Sequence, residues 1–350
     1  MNWKRNKGSI SWKAPSNIAL IKYWGKKETQ LPLNPSLSLT LKNCHTVTEV
    51  SFEMGGANKR PHLEFVFHGQ KKDEFLEKIQ VFLKRTKNLY PFIQDLKKLT
   101  ISSSNSFPHS SGIASSASSF CALAFCFESV HAELSSEAFS AERAGAAARL
   151  GSGSACRSAF PGYNLWGKFE KGGGADEKAV HIDNIHPKFY DLKDAILVVS
   201  SAVKSVASSA GHSLMQDHPY ANGRIEQAKN NCLKVLEFLE EGAIWELGAV
   251  IEEEALSLHA LMLSSNPGYV LFRPNTLKII EEIKTFRKKK NIPLFFTLDA
   301  GPNPHLLYLG RDEELVKVFI MEKLRPFCEQ GEVIFDEAGD GPEILESRFE

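Results

Sequence analysis

Apolar and polar residues follow two different periods along the chain, and these periods predict both strands and helices. Residues 37–41 alternate between apolar and polar types, as in a half-buried strand, and residues 46–52 and 63–67 predict two further strands. In residues 73–87 the apolar positions recur at i, i+1, i+4, i+7 and i+8, which predicts a helix with one buried face. We expect Asp73 to cap this helix, because its carboxylate can accept a hydrogen bond from the first backbone N–H groups.

The remainder of the chain predicts a mixture of the two element types. Further strands are predicted at residues 10–20, 99–103, 160–166, 180–185, 195–200, 294–299, 305–309 and 331–335. Further helices are predicted at residues 115–131, 136–149, 219–241, 244–263, 276–288 and 313–324. The elements do not alternate steadily as βαβ units, which favours an α+β fold over a doubly wound sheet. A chain of 350 residues usually exceeds one core, and we predict two domains, residues 1–190 and 191–350.

A Ser- and Gly-rich turn runs directly into an apolar helical stretch that begins near residue 117. Pro108 disfavours a helix before the turn, and Gly112 permits backbone conformations that are closed to residues with a Cβ. Small side chains leave amides exposed at the helix N-terminus, which suits a phosphate group. A flexible linker has a similar composition, but Ile113, Ala114 and the following run are too apolar for one. The candidate phosphate-binding residues are Pro108, His109, Ser110, Ser111, Gly112, Ile113, Ala114, Ser115 and Ser116.

A second candidate site is the sequence Lys-Tyr-Trp-Gly-Lys at residues 22–26, together with Asn17 upstream. Packing alone rarely gathers two lysines and two aromatic side chains around a glycine. Such a set suits an anionic ligand that the backbone approaches closely. An amphipathic strand end with solvated lysines has the same composition, and this stretch alone does not separate the two interpretations.

A third candidate is the sequence Gly-Ser-Gly-Ser-Ala-Cys-Arg-Ser at residues 151–158, where small residues surround Arg157. This setting lets the guanidinium form a bidentate pair with a carboxylate or a phosphate. A Gly-rich turn with an exposed arginine is the alternative. Cys156 is interpreted as a packing residue, because the sequence places no clear histidine or asparagine partner for a nucleophilic thiol.

A fourth candidate is Asp299, which follows a predicted strand within the turn at residues 297–303. A tight Gly-Pro turn would hold this carboxylate rigidly, as a general base requires. Turns of this composition are also common without any catalytic role. A weaker polar cluster at residues 204–211 includes Ser209, and an ordinary loop explains it equally well.

Composition and charge narrow the classes of function. The chain has 42 Lys+Arg and 42 Asp+Glu, so it lacks the basic footprint of a nucleic-acid-binding protein. No apolar run approaches the roughly 18–20 residues that cross a bilayer, and residues 1–15 lack the apolar core of a signal peptide. Six scattered cysteines without a Cys-x-x-Cys pair predict free thiols in a reducing cytoplasm and disfavour a metal site. We therefore expect a cytoplasmic protein with no nucleic-acid or membrane partner.

Taken together and in this order, the four stretches resemble the diphosphomevalonate decarboxylase family of the GHMP kinase superfamily. The sequence Ala-Pro-x-Asn-Ile-Ala at residues 14–19 and the motifs at residues 22–26 and 151–158 are specific to that family, whereas the turn at residues 108–116 indicates only the superfamily. The resemblance implies a two-domain α+β fold, with an S5 domain 2-like N-terminal domain and a ferredoxin-like C-terminal domain. It also implies an active site in the cleft between them and a homodimer.

The reaction that the resemblance implies belongs to the mevalonate pathway of isoprenoid biosynthesis. The 3-hydroxyl of (R)-5-diphosphomevalonate is phosphorylated by ATP, and phosphate and CO₂ then leave to give isopentenyl diphosphate. ATP would bind at residues 108–116, with Mg²⁺ bridging its phosphates. A tertiary alcohol is a poor nucleophile, so this chemistry depends on positioning and on a local base.

The resemblance also implies roles for individual residues. Asp299 would be the base beside the 3-hydroxyl, and Lys22 would pair with it and keep it ionised. Arg157 would hold the C1 carboxylate, with Ser154 and Asn17 ordering this network. The residues implied to line the substrate site are Tyr23, Trp24, Gly25, Lys26, Ser152, Gly153, Ser154, Ala155, Cys156, Arg157 and Ser209.

Two departures from the family pattern concern the ligands: the first bears on nucleotide contacts, and the second leaves open whether the substrate carries a diphosphate or a monophosphate. The phosphate turn reads Pro-His-Ser-Ser-Gly-Ile where the commoner family form is Pro-Thr-Ala-Ala-Gly-Leu. An arginine that commonly binds the substrate diphosphate has no clear counterpart, and residues 68–72 offer lysines instead. The alternatives are a phosphomevalonate decarboxylase, a mevalonate 3-kinase that stops after phosphorylation, and a non-catalytic binding protein on the same fold.

Overall fold

The computed structural model describes residues 3–55, 61–108, 113–170, 173–202 and 208–350, without the side chains of residues 208–210. The strands in these ranges are β1 (Lys7–Ile21), β2 (Lys26–Lys27), β3 (Leu31–Pro32), β4 (Ser36–Met54), β5 (His62–Phe67), β6 (Gln70–Lys71), β7 (Leu96–Asn105), β8 (Tyr163–Trp166), β9 (Ala179–His181), β10 (Leu192–Leu197), β11 (Phe295–Thr297), β12 (His305–Leu309), β13 (Val333–Glu337) and β14 (Glu343–Phe349). The α-helices are α1 (Leu76–Thr86), α2 (Ser115–Ser135), α3 (Ala141–Gly151), α4 (Ser208–Ser213), α5 (Ala221–Glu241), α6 (Ile244–Ser264), α7 (Pro274–Lys290) and α8 (Glu313–Phe319).

The first sheet carries the N-terminal half of the chain. Its strand order is β14-β1-β4-β7-β5-β6, and β8 joins it through β4 and is itself paired with β9. The long helix α2 packs on β1 and β4, and α3 packs on α2. Helix α2 is apolar around most of its circumference because its faces meet both the sheet and α3, and Phe125 and Phe127 are buried there.

The second sheet has the order β11-β12-β10-β13 and is antiparallel throughout. Helix α6 packs on β11, and α5 packs on α6. One buried apolar cluster contains Ile18 and Leu37 from the first sheet together with Ile196 and Leu307 from the second. The two sheets therefore share a hydrophobic core, which fixes the ends of β1 and β11 relative to each other.

Two of the predicted strands form a single element in the structure. Residues 37–41 and 46–52 both lie in β4, which runs for 19 residues as the antiparallel partner of β1. The alternation breaks between them because the backbone N–H groups of Lys42, Asn43 and Cys44 donate to the Asp336 carboxylate of β13. Asp336 lies nearly three hundred residues further along the chain. The apolar and polar pattern of residues 37–52 therefore predicted two separate strands instead of one.

Other boundaries also differ from the prediction. Asp73 does not cap a helix: it begins a short 3₁₀ turn, and α1 starts at Leu76 without a side-chain cap. Helix α3 begins at residue 141 rather than 136, because the Ser140 hydroxyl accepts from the Arg143 N–H and caps the helix there. The last predicted helix continues beyond α8 as a π-helical turn over Ile320–Leu324.

Strand β14 was not predicted, and it joins the first sheet. It pairs antiparallel with β1, from Gly8 opposite Phe349 to Lys13 opposite Glu343. Its side chains are mostly exposed and include several charges, so it lacks the apolar alternation that reveals a strand. The chain therefore returns to its N-terminal sheet after the predicted domain boundary at residue 190. Over the described ranges, no helix is long and apolar enough to cross a membrane.

Two helical glycines should respond in opposite directions to the same substitution. A Cβ added at Gly248 of α6 would lie 2.2 Å from the Phe295 ring, whereas one at Gly223 of α5 would meet nothing within 4 Å. We expect Gly248→Ala to lower the free energy of unfolding by about 1–3 kcal/mol through overpacking. Gly223→Ala should raise it by up to about 1 kcal/mol through helix propensity. Urea denaturation of both variants checks this, and equal shifts would contradict the packing of α6 on β11.

Candidate functional site

The ends of β1 and β11 bring an ammonium group and a carboxylate together. Lys22 follows β1 directly, and Asp299 lies two residues beyond β11. The Lys22 Nζ donates to Asp299 Oδ1 at 2.9 Å and to the Ala19 carbonyl at 2.7 Å. The Lys22 side chain is 1% exposed and that of Asp299 is 27% exposed, so the carboxylate reaches the surface above a buried cation.

Burial acts against the charge of Lys22. It lowers the pKa of the Lys22 ammonium, and the negative charges of Asp299 and Glu254 oppose this shift. The ammonium has three hydrogens, and two of them are used by Asp299 and Ala19. The arrangement holds the aspartate in one orientation and keeps a positive charge beside it.

The motif at residues 151–158 folds into a 3₁₀ turn, Gly153–Ser158, that buries Arg157. The Arg157 Nη1 donates to the Ser36 hydroxyl at 2.5 Å, and Nη2 donates to Asn17 Oδ1 at 3.5 Å. Burial lowers the pKa of this guanidinium, and the charge of Asp299 is among the groups that oppose the shift. Among the residues that the structure describes, Arg157 Nε has no hydrogen-bond partner.

Asn17 links the start of the chain to this turn. Its Nδ2 donates to the Ser158 hydroxyl at 2.8 Å and to the Ser154 carbonyl at 3.4 Å. Ser154 thus enters the network through its main chain. Ser36 and Ser158 hold the inner positions, and the sequence analysis did not assign either of them to the site.

The Tyr23 ring packs between Trp166 of the first sheet and His212 of α4. It meets Trp166 edge-on, with centroids 4.7 Å apart, and lies 4.4 Å from the ring of His212. Burial raises the pKa of Tyr23, so its hydroxyl stays protonated at neutral pH. In the described part of the chain this Oη is buried without a hydrogen-bond partner. By contrast, the Trp24 ring is buried in an apolar cluster with Met215 and helix α6, which makes it a packing residue.

Gly25 and His212 form a contact that the sequence analysis missed. Gly25 has φ +90, and a Cβ there would lie 2.5 Å from Leu33 Cδ1, so only glycine fits without strain. Its N–H donates to His212 Nδ1 at 2.9 Å. Burial, followed by the charges of Lys26 and Arg157, lowers the pKa of His212 to about 3. At neutral pH the ring is therefore uncharged, with its proton on Nε2.

The remaining predicted residues near residue 153 are packed closely. A Cβ at Gly153 would lie 2.8 Å from both Tyr23 Oη and Trp166. Ala155 and Cys156 are fully buried, and burial raises the pKa of the Cys156 thiol to about 12. That thiol fits the interpretation as a packing residue. Lys26 donates to Gln30 Oε1 at 3.2 Å, and burial lowers the pKa of its ammonium.

The predicted phosphate turn is described only at its two ends. His109, Ser110, Ser111 and Gly112 lie outside the described residues, as do Lys204 and the side chain of Ser209. Ala114 has a left-handed conformation, φ 41 and ψ 38, and α2 begins at Ser115 without a side-chain cap. The Ser116 and Ser152 hydroxyl oxygens are 3.4 Å apart, so the end of the turn adjoins the motif at residues 151–158.

Metal ligands of the usual kind are not clustered in the described residues. Over those ranges, no group of three or more His, Cys, Asp or Glu side chains could hold a metal ion. The oxygen donors nearest to the phosphate turn are instead serine hydroxyls, including Ser115 and Ser116 at the start of α2.

The fold and this site define a class: the protein is a two-domain α+β protein with a carboxylate and buried cations where its two sheets meet. The family model described as "Diphosphomevalonate decarboxylase-like N-terminal domain" matches residues 14–179, and "Mevalonate 5-diphosphate decarboxylase C-terminal domain" matches residues 195–345. The chain belongs to the diphosphomevalonate decarboxylase family.

Individual relatives agree with this assignment. The chain is 31% identical over 325 residues to the diphosphomevalonate decarboxylase of Saccharomyces cerevisiae, an alignment that covers 88% of this chain and 79% of the relative. The solved structure of mevalonate diphosphate decarboxylase from Staphylococcus aureus is 28% identical, with a TM-score of 0.84 over 97% of this chain and 98% of that one. A complex described as "MDDEF in complex with MVAPP, AMPPCP and Magnesium" is 29% identical, with a TM-score of 0.83 over 97% and 99%.

The neutral state of His212 should make the fold sensitive to acid. The folded pKa of about 3 lies below the ordinary value of 6.5, so between these values the unfolded chain binds the proton first. Stability must then fall as the pH drops from 6.5 towards 3. We expect His212→Asn, which keeps an acceptor for the Gly25 N–H, to reduce the loss in Tm between pH 7 and pH 4.5. His62→Asn, at an exposed position of β5, is the control. An unchanged loss in His212→Asn would contradict this role of the ring.

Proposed function

We propose that the chain catalyses the ATP-dependent decarboxylation of (R)-5-diphosphomevalonate to isopentenyl diphosphate, with release of CO₂, ADP and phosphate, in the mevalonate pathway. The observation that carries the proposal is the 2.9 Å bond between Lys22 Nζ and Asp299 Oδ1, with the buried Arg157 within electrostatic reach of both. Membership of the diphosphomevalonate decarboxylase family supports the choice of reaction.

Asp299 is the proposed base for the substrate 3-hydroxyl. Its side chain is 27% exposed, so one face is accessible while Lys22 fixes the other. A positioned carboxylate can accept the hydroxyl proton as the phosphoryl group is transferred. When the phosphate has left, positive charge develops at C3, and the same carboxylate stabilises it electrostatically.

Arg157 is the proposed holder of the C1 carboxylate. A buried guanidinium is costly without a partner, and Ser36 and Asn17 supply only neutral acceptors. An anionic substrate group would complete this environment and would be held in one orientation for cleavage of the C–C bond. Asn17 and Ser154 order the arginine from the N-terminal side.

Residues 108–116 are the proposed seat of the ATP phosphates. Small residues, a left-handed Ala114 and an uncapped start of α2 fit a phosphate group, because the first-turn amides of a helix are free to donate. The serine hydroxyls of this stretch suit Mg²⁺, which prefers oxygen ligands and would neutralise phosphate charge when bound. The complex that contains AMPPCP and magnesium supports this pairing for a relative.

The phosphate tail of the substrate is proposed to lie among Tyr23, Lys26, Ser152 and Ser209. MVAPP in the related complex favours a diphosphate over a monophosphate. Residues 68–72, whose lysines were considered as substitutes for the missing arginine, lie at the edge of the first sheet. There Lys71 pairs with Glu64 at 3.6 Å.

Two further properties are proposed, the cellular compartment and the oligomeric state. All six cysteines are free and buried, which is consistent with a reducing cytoplasm. A homodimer is proposed from the family resemblance, and exposed apolar side chains such as Leu315, Val318 and Met321 are available for such a contact. Sedimentation velocity of the purified protein at micromolar concentration measures the second property directly.

Replacing Asp299 by asparagine tests the base. The substitution is nearly isosteric, so we expect folding to survive while kcat falls roughly 10³-fold, because both proton acceptance and charge stabilisation are lost. ADP and CO₂ release from pure diphosphomevalonate and ATP provide the measurement. Asp183→Asn, at an exposed position, is the matched control and should keep full activity. Near-normal turnover in D299N would remove Asp299 from its role.

Replacing Arg157 by methionine tests the carboxylate contact and separates the decarboxylase from an arrested 3-kinase. We expect kcat/KM for CO₂ release to fall roughly 10²-fold, since truncating one partner of a buried charge pair costs a few kcal/mol. Arg149→Met is the control, because the hydrogen bonds of Arg149 within the described ranges go to the main-chain carbonyls of Thr29 and Glu177. It should lower Tm and leave the ratio of CO₂ to ADP at one. Wild-type protein that forms ADP without CO₂ would contradict the decarboxylase and favour the 3-kinase.

A further inference from the structure

The main chain of Lys22 is held from both sides by a buried ion pair of the second domain. The Lys22 N–H donates to Glu254 Oε2 at 2.9 Å, and the Lys22 carbonyl accepts from Arg224 Nη2 at 3.0 Å. Asn34 Nδ2 donates to the same carbonyl at 2.9 Å. The residue that directly follows β1 thus has both peptide groups fixed by side chains of α5 and α6.

This ion pair is fully enclosed. The side chains of Arg224 and Glu254 are 1% and 0% exposed. The guanidinium spans both carboxylate oxygens, with Nη1–Oε1 at 2.7 Å and Nη2–Oε2 at 2.5 Å. Asn231 Nδ2 adds a third bond to Oε1 at 2.8 Å. Such a pair is weak support for stability alone, since apolar residues in its place are often neutral or stabilising, and its position at Lys22 calls for another role.

Helix α6 relates the two partners of the catalytic ion pair. Its Glu254 binds the Lys22 N–H, and one and a half turns later His259 Nε2 lies 3.1 Å from the main-chain oxygen of Asp299. The same helix also packs on β11, which leads to Asp299. A single rigid element therefore contacts the backbone beside both the ammonium and the carboxylate.

We infer that Arg224 and Glu254 are positioning residues, which hold the Lys22 main chain so that its Nζ meets Asp299 in the geometry that the reaction requires. The inference rests on the roles proposed above for Lys22 and Asp299. Neither Arg224 nor Glu254 touches the substrate in this scheme. They affect the reaction only by fixing the position of the Lys22 ammonium group.

Electrostatics adds a second consequence of the same contact. Charged side chains that act on Lys22 from the surrounding elements include Asp299, Glu254, Asp194, Arg157 and Arg224. Burial lowers the pKa of Lys22, and the negative charge of Glu254 opposes this shift. Removing that charge should let the ammonium lose its proton at lower pH. The decrease of kcat at high pH, which is the basic limb of the profile, should then begin at a pH closer to neutral.

Two substitutions test the inference in the full-length enzyme. Glu254→Gln keeps the shape and an acceptor for the Lys22 N–H but removes the charge. Arg224→Lys keeps a cation but loses the planar fork that spans Glu254 and the Lys22 carbonyl. We expect each to lower kcat about 10²-fold, the effect of a misplacement near 1 Å, while KM for the substrate changes less than about 3-fold. In E254Q the basic limb should also move to lower pH.

A second ion pair, whose glutamate is fully buried, provides control variants. Glu128 of α2 is fully buried, binds Arg143 Nε and Nη2 through both oxygens, and accepts from the Ser140 N–H at 2.8 Å. Like Glu254, it is a buried carboxylate held by a forked arginine, although Arg143 is 25% exposed where Arg224 is 1% exposed, and within the described ranges its hydrogen bonds do not involve Lys22. Glu128→Gln and Arg143→Lys should lower Tm and leave kcat and the pH profile unchanged.

The outcomes separate this inference from the proposed function. Wild-type kcat and pH profile in both E254Q and R224K overturn the inference, as does an equal fall of kcat in the controls. Lys22→Met tests the underlying role: if it retains kcat, the proposed function of Lys22 fails instead. Should both substitutions in the ion pair prevent folding, Asn34→Ala removes one donor at the Lys22 carbonyl and leaves the pair intact. A reduced kcat in N34A then supports the inference, and a wild-type kcat overturns it.

Discussion

The constraint on which the site depends is the burial of the Lys22 ammonium against Asp299. An amine without access to water loses its solvation, and only a nearby anion and well-placed acceptors compensate that loss. The lysine directly follows a strand of the first sheet and the aspartate follows a strand of the second, so the compensation exists only when the domains are docked. The apolar cluster with Ile18, Leu37, Ile196 and Leu307 supplies the docking. Chemistry and domain association are thus coupled through one ion pair.

The pKa shifts of the site follow from the same loss of solvation on burial. Burial lowers the pKa of Lys22, Lys26 and Arg157, so the site holds several cations at a distance from water. His212 lies among these groups and stays neutral, which avoids a further like charge. A site of this kind favours a ligand that brings its own negative charges, because such a ligand compensates the lost solvation of the cations as well as accepting their hydrogen bonds.

The sequence predicted the helices better than the strands, and there is a physical reason for the difference. Helical periodicity is local, so α5, α6 and α7 were placed within about two residues of their ends. The continuity of β4 depends on Asp336, nearly three hundred residues away, and β14 is an exposed edge strand whose pattern is mostly polar. Such strands are determined by pairing partners that are distant in the sequence, and the neighbouring residues do not reveal these partners.

The same distinction applies to the site. Arg157 and Asp299 stood out because they lie in turns among small residues, and Lys22 because a second lysine and two aromatic residues gather with it around a glycine. Arg224 and Glu254 did not, because a charged residue in an amphipathic helix has the pattern of a solvated surface. Their burial is visible only after α5 and α6 have been placed against the end of β1.

The return of β14 to the first sheet has a consequence for biosynthesis. The outer hydrogen-bonding edge of β1 stays open until residues 343–349 have been made, because these residues form its partner strand. While the residues between the two strands are synthesised, a nascent chain therefore carries an unpaired edge, which is a template for pairing with neighbouring chains on the same polysome.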